Sequence, residues 1–139
     1  LGFSRPDEAI KIYRNLTKQI YPAAFDNLAS LLLQRNDKKS IKDAVDVLKD
    51  GVRHRDPDSM VTLAALAGTT AFPVQNPYNY RLMLYKQAAS LGNADAKDAA
   101  DALEQQLRQQ QQEYINQREQ ERMMLEIFGG IVGGALRAR

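Results

Sequence analysis

The sequence has no cysteine among its 139 residues. This absence excludes disulfide bonds, thiol catalysis and zinc sites built on cysteine, but it leaves the redox compartment open, because a chain without cysteine is stable in either environment. No stretch approaches the roughly 20 apolar residues that a membrane-spanning helix needs. The chain also lacks a large excess of positive or negative charge. Lys and Arg number 19 against 17 Asp and Glu, and a net charge of +2 does not favour binding to nucleic acid.

Groups that could carry out catalysis are equally few. His54 is the only histidine, and it lies between Arg53 and Arg55 at a predicted helix end with no candidate nucleophile beside it. Asp43 and Asp46 are typical of a solvated helix face rather than of a metal site. No glycine-rich loop that could hold a phosphate group is present. The sequence therefore predicts a non-enzymatic protein without a cofactor. Its composition does not identify a binding partner.

The sequence does contain an internal repeat. Helix-breaking pairs recur at intervals of 35 and then 36 residues, and these pairs are Tyr21 and Pro22, Asp56 and Pro57, and Gly92 and Asn93. Proline suits the first turn of a helix, and glycine suits the left-handed residue that ends one. Each pair is therefore predicted to end one helix and begin the next.

Aligning the chain on these pairs produces three columns of chemically similar residues. The columns hold Ile12, Val47 and Met83, then Tyr13, Leu48 and Leu84, and then Ala29, Ala64 and Ala100. A small residue that recurs in step with the repeat predicts a close helix crossing with no space for a larger side chain. We therefore expect the three alanines to be buried.

Apolar residues at helical spacing predict an all-α protein with six helices. Five antiparallel helices are predicted over residues 5–20, 22–34, 40–52, 56–67 and 79–91, with Ser40, Asp56 and Asn79 at the starts of the last three. The first helix is predicted to have an apolar face made of Ala9, Ile12, Tyr13, Leu16 and Ile20. Two prolines in residues 68–78 predict a longer connection there, and no sustained alternation of residues predicts a sheet. The sixth helix is expected to run from near Asn93 towards Phe128.

The composition changes after Leu103. Residues 105–120 include eight glutamines, a composition that favours an exposed helix with little to bury, and residues 105–128 are predicted to form this extension. A coiled coil is the alternative. With heptad spacing from Leu103, eight positions would face a partner helix, and three of them are the polar or charged residues Gln110, Gln117 and Glu121. Both a single helix and specific helix pairing therefore remain open.

Residues 129–139 form a glycine-rich apolar end. Its four glycines lie at a spacing that lets backbones pack closely, as between membrane helices, but the segment is too short to span a bilayer. It is interpreted either as a flexible tail or as a peptide that docks in a groove or lies on a membrane surface. The side chains expected to make such contacts are Ile127, Phe128, Ile131, Val132 and Leu136.

The stretch from Tyr85 to Ala96, YKQAASLGNADA, resembles the junction between Sel1-like repeats, which are related to tetratricopeptide repeats. The resemblance covers about Arg5 to Leu103, although Asp56–Pro57 and Tyr21–Pro22 stand where that pattern has Gly-Asn. It implies a short α-solenoid of antiparallel helix hairpins over residues 1–104, in which the first helix of each pair lines a concave binding surface. It also implies an adaptor of the kind often found in bacterial envelope or signalling assemblies, and it slightly favours a periplasmic or secreted location.

With the register of these repeats, the concave face has a mixed and nearly uncharged lining. The residues that form it are Asn27, Leu31, Gln34, Thr62, Leu66, Asp98 and Gln105. Such a lining suits a peptide or helix of a protein partner, or the apolar end of another copy. The favoured function is thus a scaffold or adaptor. The alternative is a membrane-associated or self-assembling protein that acts through its glycine-rich end, and Tyr78 and Tyr80 are a further candidate recognition surface.

Overall fold

The computed structural model describes residues 5–18 and 21–137, apart from the side chains of Pro22 and of residues 135–137. These residues form six helices, which are α1 (Arg5–Lys18), α2 (Pro22–Arg35), α3 (Lys38–Arg53), α4 (Pro57–Leu66), α5 (Pro77–Ser90) and α6 (Ala94–Arg137). Within the described ranges there is no strand. Two isolated β-bridges join Phe72 to Ala67 and to Thr69. The prediction of an all-α chain with six helices is confirmed.

Helices α4 and α6 begin where the sequence predicts. The Asp56 carboxylate accepts a hydrogen bond from the Ser59 backbone N–H at 3.1 Å, and Pro57 occupies the first turn of α4. Before α6, Gly92 takes a φ of +94°, and the Asn93 side chain accepts from the backbone N–H of Ala96 at 2.9 Å. These capping bonds satisfy amide groups that have no partner inside the helix.

Helices α3 and α5 begin earlier than predicted, and the predicted starts at Ser40 and Asn79 are wrong. The residue that caps α3 is Asp37, whose carboxylate accepts from the Ser40 backbone N–H at 2.8 Å. The residue that caps α5 is Asn76, which accepts from the Asn79 backbone N–H at 3.4 Å. In both cases the predicted start lies three residues after the cap and supplies the amide group that the cap binds.

Helix α6 continues past the predicted end near Phe128. It runs without a break from Ala94 through all four glycines to Arg137, a length of about 66 Å at about 1.5 Å per residue. A glycine inside a helix costs only about 0.5 to 1 kcal/mol relative to alanine, and no proline interrupts this segment. The glycines therefore weaken the helix without ending it.

The chain divides into two units, one through Leu103 and one from Glu104. In the first unit α1 packs on α2, α2 on α3, α3 on α4 and α4 on α5, and α4 also contacts α2. The core is formed by large aliphatic side chains, including Leu28, Leu32, Leu48, Leu63 and Leu84. Ala29, Ala64 and Ala100 are at most 4% exposed, so the predicted burial of the three alanines is confirmed.

The apolar face predicted for α1 differs from the one the structure shows. Ile10 is the buried residue of this helix, whereas Ile12 is 60% exposed. Tyr13 is half-buried against the core, and Ile20 lies outside the described residues. Ala9 and Leu16 are half-buried as well, so the predicted face differs from the observed one at Ile12 and lacks Ile10.

Candidate interaction surfaces

Helices α2 and α4 carry most of the predicted concave face. Thr62 Oγ1 donates a hydrogen bond of 2.6 Å to Asp26 Oδ1, and this bond joins the two helices beside Asn27. Asn27 is exposed, and its amide donates to the Ala23 carbonyl of its own helix at 2.9 Å. Leu31 and Leu66 are half-buried and pack against the core, while Gln34 is exposed. The structure therefore brings the α2 and α4 residues of this face onto neighbouring helices.

On α6, the residues equivalent to those of α2 and α4 depend on which residue is aligned with the helix caps. The helix caps before α2, α4 and α6 are Tyr21, Asp56 and Asn93. The residues six positions after these three caps are, in order, Asn27, Thr62 and Ala99. Those ten positions after the caps are Leu31, Leu66 and Leu103. Asp98 precedes the first set by one residue and is exposed, and Gln105 belongs to the second unit. Counted from Gly92 instead, which the sequence alignment pairs with Asp56, Asp98 is equivalent to Asn27 and Thr62, and the buried Ala100 is equivalent to Ala29 and Ala64.

Asp26 is the titratable group of this face with an altered pKa. Burial raises the pKa of Asp26 above its usual 3.8, and the nearby carboxylates of Asp58 and Asp56 raise it further. The hydrogen bond from Thr62 acts in the opposite direction, because it stabilises the charged form. The joint between α2 and α4 therefore holds a carboxyl group that keeps its proton to a higher pH than an exposed aspartate does.

Tyr78 and Tyr80 are used for packing. Tyr78 donates its hydroxyl to the Leu103 carbonyl at 2.8 Å. Tyr80 packs edge-on against Phe72, with ring centres 5.5 Å apart, and burial raises the pKa of the Tyr80 phenol. Tyr78 thus joins α5 to α6 at Leu103, and Tyr80 packs α5 against the α4–α5 connection.

His54 lies at the end of α3, as the sequence predicts. Its Nδ1 atom is 3.0 Å from the Asp50 carbonyl, and its ring is 5.3 Å from the ring of Phe25. These contacts give the side chain a role at the helix terminus. Across the part of the chain that the structure describes, no group of three or more His, Cys, Asp or Glu side chains could hold a metal ion.

The second unit exposes an unusual amount of apolar surface. Between Tyr114 and Val132, nine large apolar side chains are 41% to 71% exposed. We call these nine residues the α6 apolar surface, and they are Tyr114, Ile115, Met123, Met124, Leu125, Ile127, Phe128, Ile131 and Val132. Four of the five residues predicted for contacts of the apolar end belong to it. The fifth, Leu136, is a helical position whose side chain lies outside the described residues.

Polar side chains of the second unit interact within α6 itself. Arg122 lies 3.9 Å from Glu126, and the Arg118 guanidinium lies 5.9 Å from the centre of the Tyr114 ring. Such pairs at a spacing of four residues stabilise a helix by only about 0.2 to 0.5 kcal/mol each. They support the helix, but they leave its apolar side chains uncovered.

No described helix has a stretch long and apolar enough to cross a lipid bilayer. No protein-family model matches the sequence, and no curated protein is significantly similar to it. The resemblance to Sel1-like repeats therefore stays a prediction.

Proposed function

We propose that this chain is a non-enzymatic interaction scaffold that associates through the α6 apolar surface. The observation that carries the proposal is the exposure of nine large apolar side chains on one continuous helix. Removing apolar surface from water stabilises an association by about 25 cal/mol per Å², and contiguous exposed patches mark interaction sites. Catalysis is not part of the proposal, because His54 is engaged at a helix end and the chain has no thiol.

The unit through Leu103 is proposed as a short α-solenoid of Sel1-like hairpins that supports this helix. The segment that resembles the repeat junction, residues 85–96, contains the end of α5, the left-handed Gly92 and the Asn93 cap. Packing between consecutive helices from α1 to α5, together with the contact of α4 with α2, is a pattern that stacked helix pairs require. These features support the repeat interpretation.

Capture of partners by the immobilised intact chain tests the scaffold function. A triple variant, Leu125→Gln, Phe128→Gln and Ile131→Gln, removes apolar area from the α6 surface and leaves the first unit untouched. We expect the parent chain to bind specific proteins, its own copies included, and the triple variant to lose them without any change in the unfolding of the first unit. Equal capture by both chains would contradict the proposal. Flotation of the parent chain with lipid vesicles, without any protein capture, would favour the membrane alternative.

Peptide binding on the α2–α4 face is a second candidate function. It is favoured by the Asp26–Thr62 hydrogen bond between α2 and α4. This bond holds Asn27 and Leu31 of α2 beside Thr62 and Leu66 of α4. The test uses Asn27→Arg together with Gln34→Arg, because both side chains are exposed and neither contributes to the bond between the helices. Lost capture with intact folding would support this site, and full capture would exclude it.

A further inference from the structure

A stripe of residues along α6 has the spacing of a coiled-coil seam. From Leu107 to Val132, eight positions alternate in steps of four and three residues, and at 100° per residue they cover about 100° of the helix circumference. We call this stripe the 107–132 seam, and it consists of Leu107, Gln111, Tyr114, Arg118, Glu121, Leu125, Phe128 and Val132. Five of the eight side chains are apolar and 36% to 71% exposed. The seam differs from the one considered from the sequence, because it passes through Gln111, Arg118 and Leu125 instead of Gln110, Gln117 and Met124.

The seam is symmetric about the point midway between Glu119 and Gln120. Its steps read four, three, four, three, four, three, four in either direction. Residues at equal distances from the centre form four matched pairs, and these pairs are Leu107 with Val132, Gln111 with Phe128, Tyr114 with Leu125, and Arg118 with Glu121. Two identical helices that run antiparallel about a twofold axis at this point would place each residue opposite its match. The spacing of the seam therefore fits an antiparallel pair of identical helices, in which two matched pairs are apolar, one joins opposite charges, and one sets Gln111 against Phe128.

The two charges at the centre select the antiparallel orientation. A parallel pair in register would place Arg118 against the partner's Arg118 and Glu121 against the partner's Glu121, and like charges across an interface are costly. An antiparallel pair places Arg118 against the partner's Glu121 twice. Within the described chain neither side chain has an ion-pair partner, and both line a shallow concavity between Tyr114 and Leu125. A polar layer of this kind lowers stability but sets register and orientation.

The geometry points to a second copy of this chain as the occupant of the α6 apolar surface, docked antiparallel along the 107–132 seam. This inference rests on the proposed function and names the partner of the same surface. Apolar layers form on both sides of the charged centre, between Tyr114 and the partner's Leu125 and between Leu107 and the partner's Val132. Five residues of the α6 apolar surface remain outside the seam. Met123 and Ile127 lie on the opposite side of the helix, and the other three are Ile115, Met124 and Ile131.

Sedimentation equilibrium of the intact chain tests the charged layer. The parent chain should form a species of twice the 15.6 kDa chain mass. Arg118→Glu and Glu121→Arg should each raise the dissociation constant by about tenfold or more, because each places like charges together at the centre. The double variant should recover the parent affinity, since it only reverses the direction of the two ion pairs. Single variants that dimerise like the parent, or a double variant that stays as weak as the singles, would overturn the proposal.

Two single-cysteine variants test the orientation, because the parent chain has no thiol of its own. In an antiparallel pair the two cysteines of Leu107→Cys are about 38 Å apart, as are those of Val132→Cys, so glutathione disulfide should produce a covalent dimer only when the two variants are mixed. A covalent dimer of either variant alone, or none in the mixture, would overturn the antiparallel arrangement.

A matched pair of apolar substitutions separates the seam from general apolar contact. Leu125→Gln lies on the seam and Ile127→Gln lies on the opposite side of the helix, and both side chains are well exposed. Dimerisation should be lost only in Leu125→Gln, and equal losses would overturn the seam. A parent chain that stays monomeric but still captures another protein through α6 would contradict the proposal that a second copy docks there. The proposed scaffold function would still stand. A monomer that captures nothing would contradict both.

Discussion

Gly51 is buried where α3 passes α4. A Cβ atom at this position would lie 2.1 Å from Oγ of Ser59 and 3.0 Å from Cβ of Phe25. Ser59 has little freedom to move, because its hydroxyl and its backbone N–H both donate to Asp56. We expect Gly51→Ala to lower the free energy of unfolding in urea, because overpacking costs about 1 to 3 kcal/mol and exceeds the gain of about 0.5 to 1 kcal/mol in helix propensity.

Removing the Ser59 side chain shows whether it causes this effect. Ser59→Gly opens the space that a methyl group at position 51 would need, so the double variant should lose less stability than the sum of the two single variants. Strictly additive losses would mean that the Gly51–Ser59 contact does not limit this crossing.

Asp26 makes the stability of the first unit depend on pH. Because its pKa in the folded chain lies above the usual 3.8, the folded state binds the proton more tightly than the unfolded state. Its stabilising contribution is therefore complete below pH 3.8 and is lost as the pH rises through the folded-state pKa. Asp26→Asn keeps an oxygen that can accept from Thr62 but carries no charge, so this variant should be more stable than the parent at neutral pH.

The advantage of Asp26→Asn should shrink as the pH falls towards 3.8, because the parent side chain then becomes neutral as well. Urea midpoints at several pH values measure this convergence. Asp46→Asn, at an exposed position of α3, controls for the loss of one negative charge. A difference between Asp26→Asn and the parent that does not change with pH would show that ionisation of Asp26 has no part in it.

At the scale of the element, the start of the ten-residue helix α4 depends on Asp56. Asp56→Ala removes the acceptor for the Ser59 backbone N–H and should cost about 0.5 to 2 kcal/mol, near the upper end because the site is buried. Asp56→Asn retains a side-chain acceptor and should stay close to the parent, since asparagine caps helices about as well as aspartate. Thermal unfolding of the three chains measures the difference, and equal losses in both variants would contradict a capping role.

Gly130 tests the stability of the C-terminal turns of α6. No atom lies within 4 Å of a Cβ at this position, so alanine meets no obstacle there. Gly130→Ala should stabilise the helix locally by about 0.5 to 1 kcal/mol, which corresponds to about two- to fivefold slower amide hydrogen exchange in the surrounding turns. Gly130 lies away from the 107–132 seam, so the added methyl group makes no new contact in that seam. Exchange that is unchanged or faster would contradict a continuous helix through the glycines.

The sequence predicts which helices exist better than where they begin and end. Periodicity and the helix-breaking pairs identify all six helices. The predicted cap of α4, Asp56, is also correct, because Pro57 fixes the start of that helix. The start of α3 is not fixed in this way, since Asp37 and Ser40 are both good capping residues and only the hydrogen bond between them shows which one caps. The predicted end of α6 near Phe128 is too early, because the sequence analysis interprets the glycine-rich segment after it as a tail, whereas a glycine inside a helix costs little.

At the scale of the whole molecule, the candidate surfaces could be predicted only in part. Apolar residues near the C-terminus were identified from composition, but their arrangement depends on whether the helix continues past Phe128. Val132 lies beyond that predicted end, so the symmetry of the 107–132 seam becomes visible only with a continuous α6. The lining of the α2–α4 face stays a prediction, and its equivalent residues on α6 depend on whether Gly92 or Asn93 is aligned with Asp56.

The two units should unfold differently as the protein concentration changes. The unit through Leu103 has a buried core of its own, whereas the apolar side chains of α6 from Tyr114 onward are exposed in the single chain. Most helical stability in proteins comes from packing of an amphipathic face, so the helicity of the second unit should depend on dimerisation. Far-UV circular dichroism over about a hundredfold range of concentration should therefore show one transition whose midpoint rises with concentration and one whose midpoint does not.

Variants assign the two transitions. Leu125→Gln, on the seam, should remove the dependence on concentration and leave the other transition in place, because only the dimer supplies packing for α6 in this arrangement. Gly51→Ala should lower the concentration-independent transition alone, since its overpacking is confined to the first unit. If the second unit kept its helicity at every concentration, with or without Leu125, the helix would be stable as a single strand, and its exposed apolar residues would need an explanation other than self-pairing.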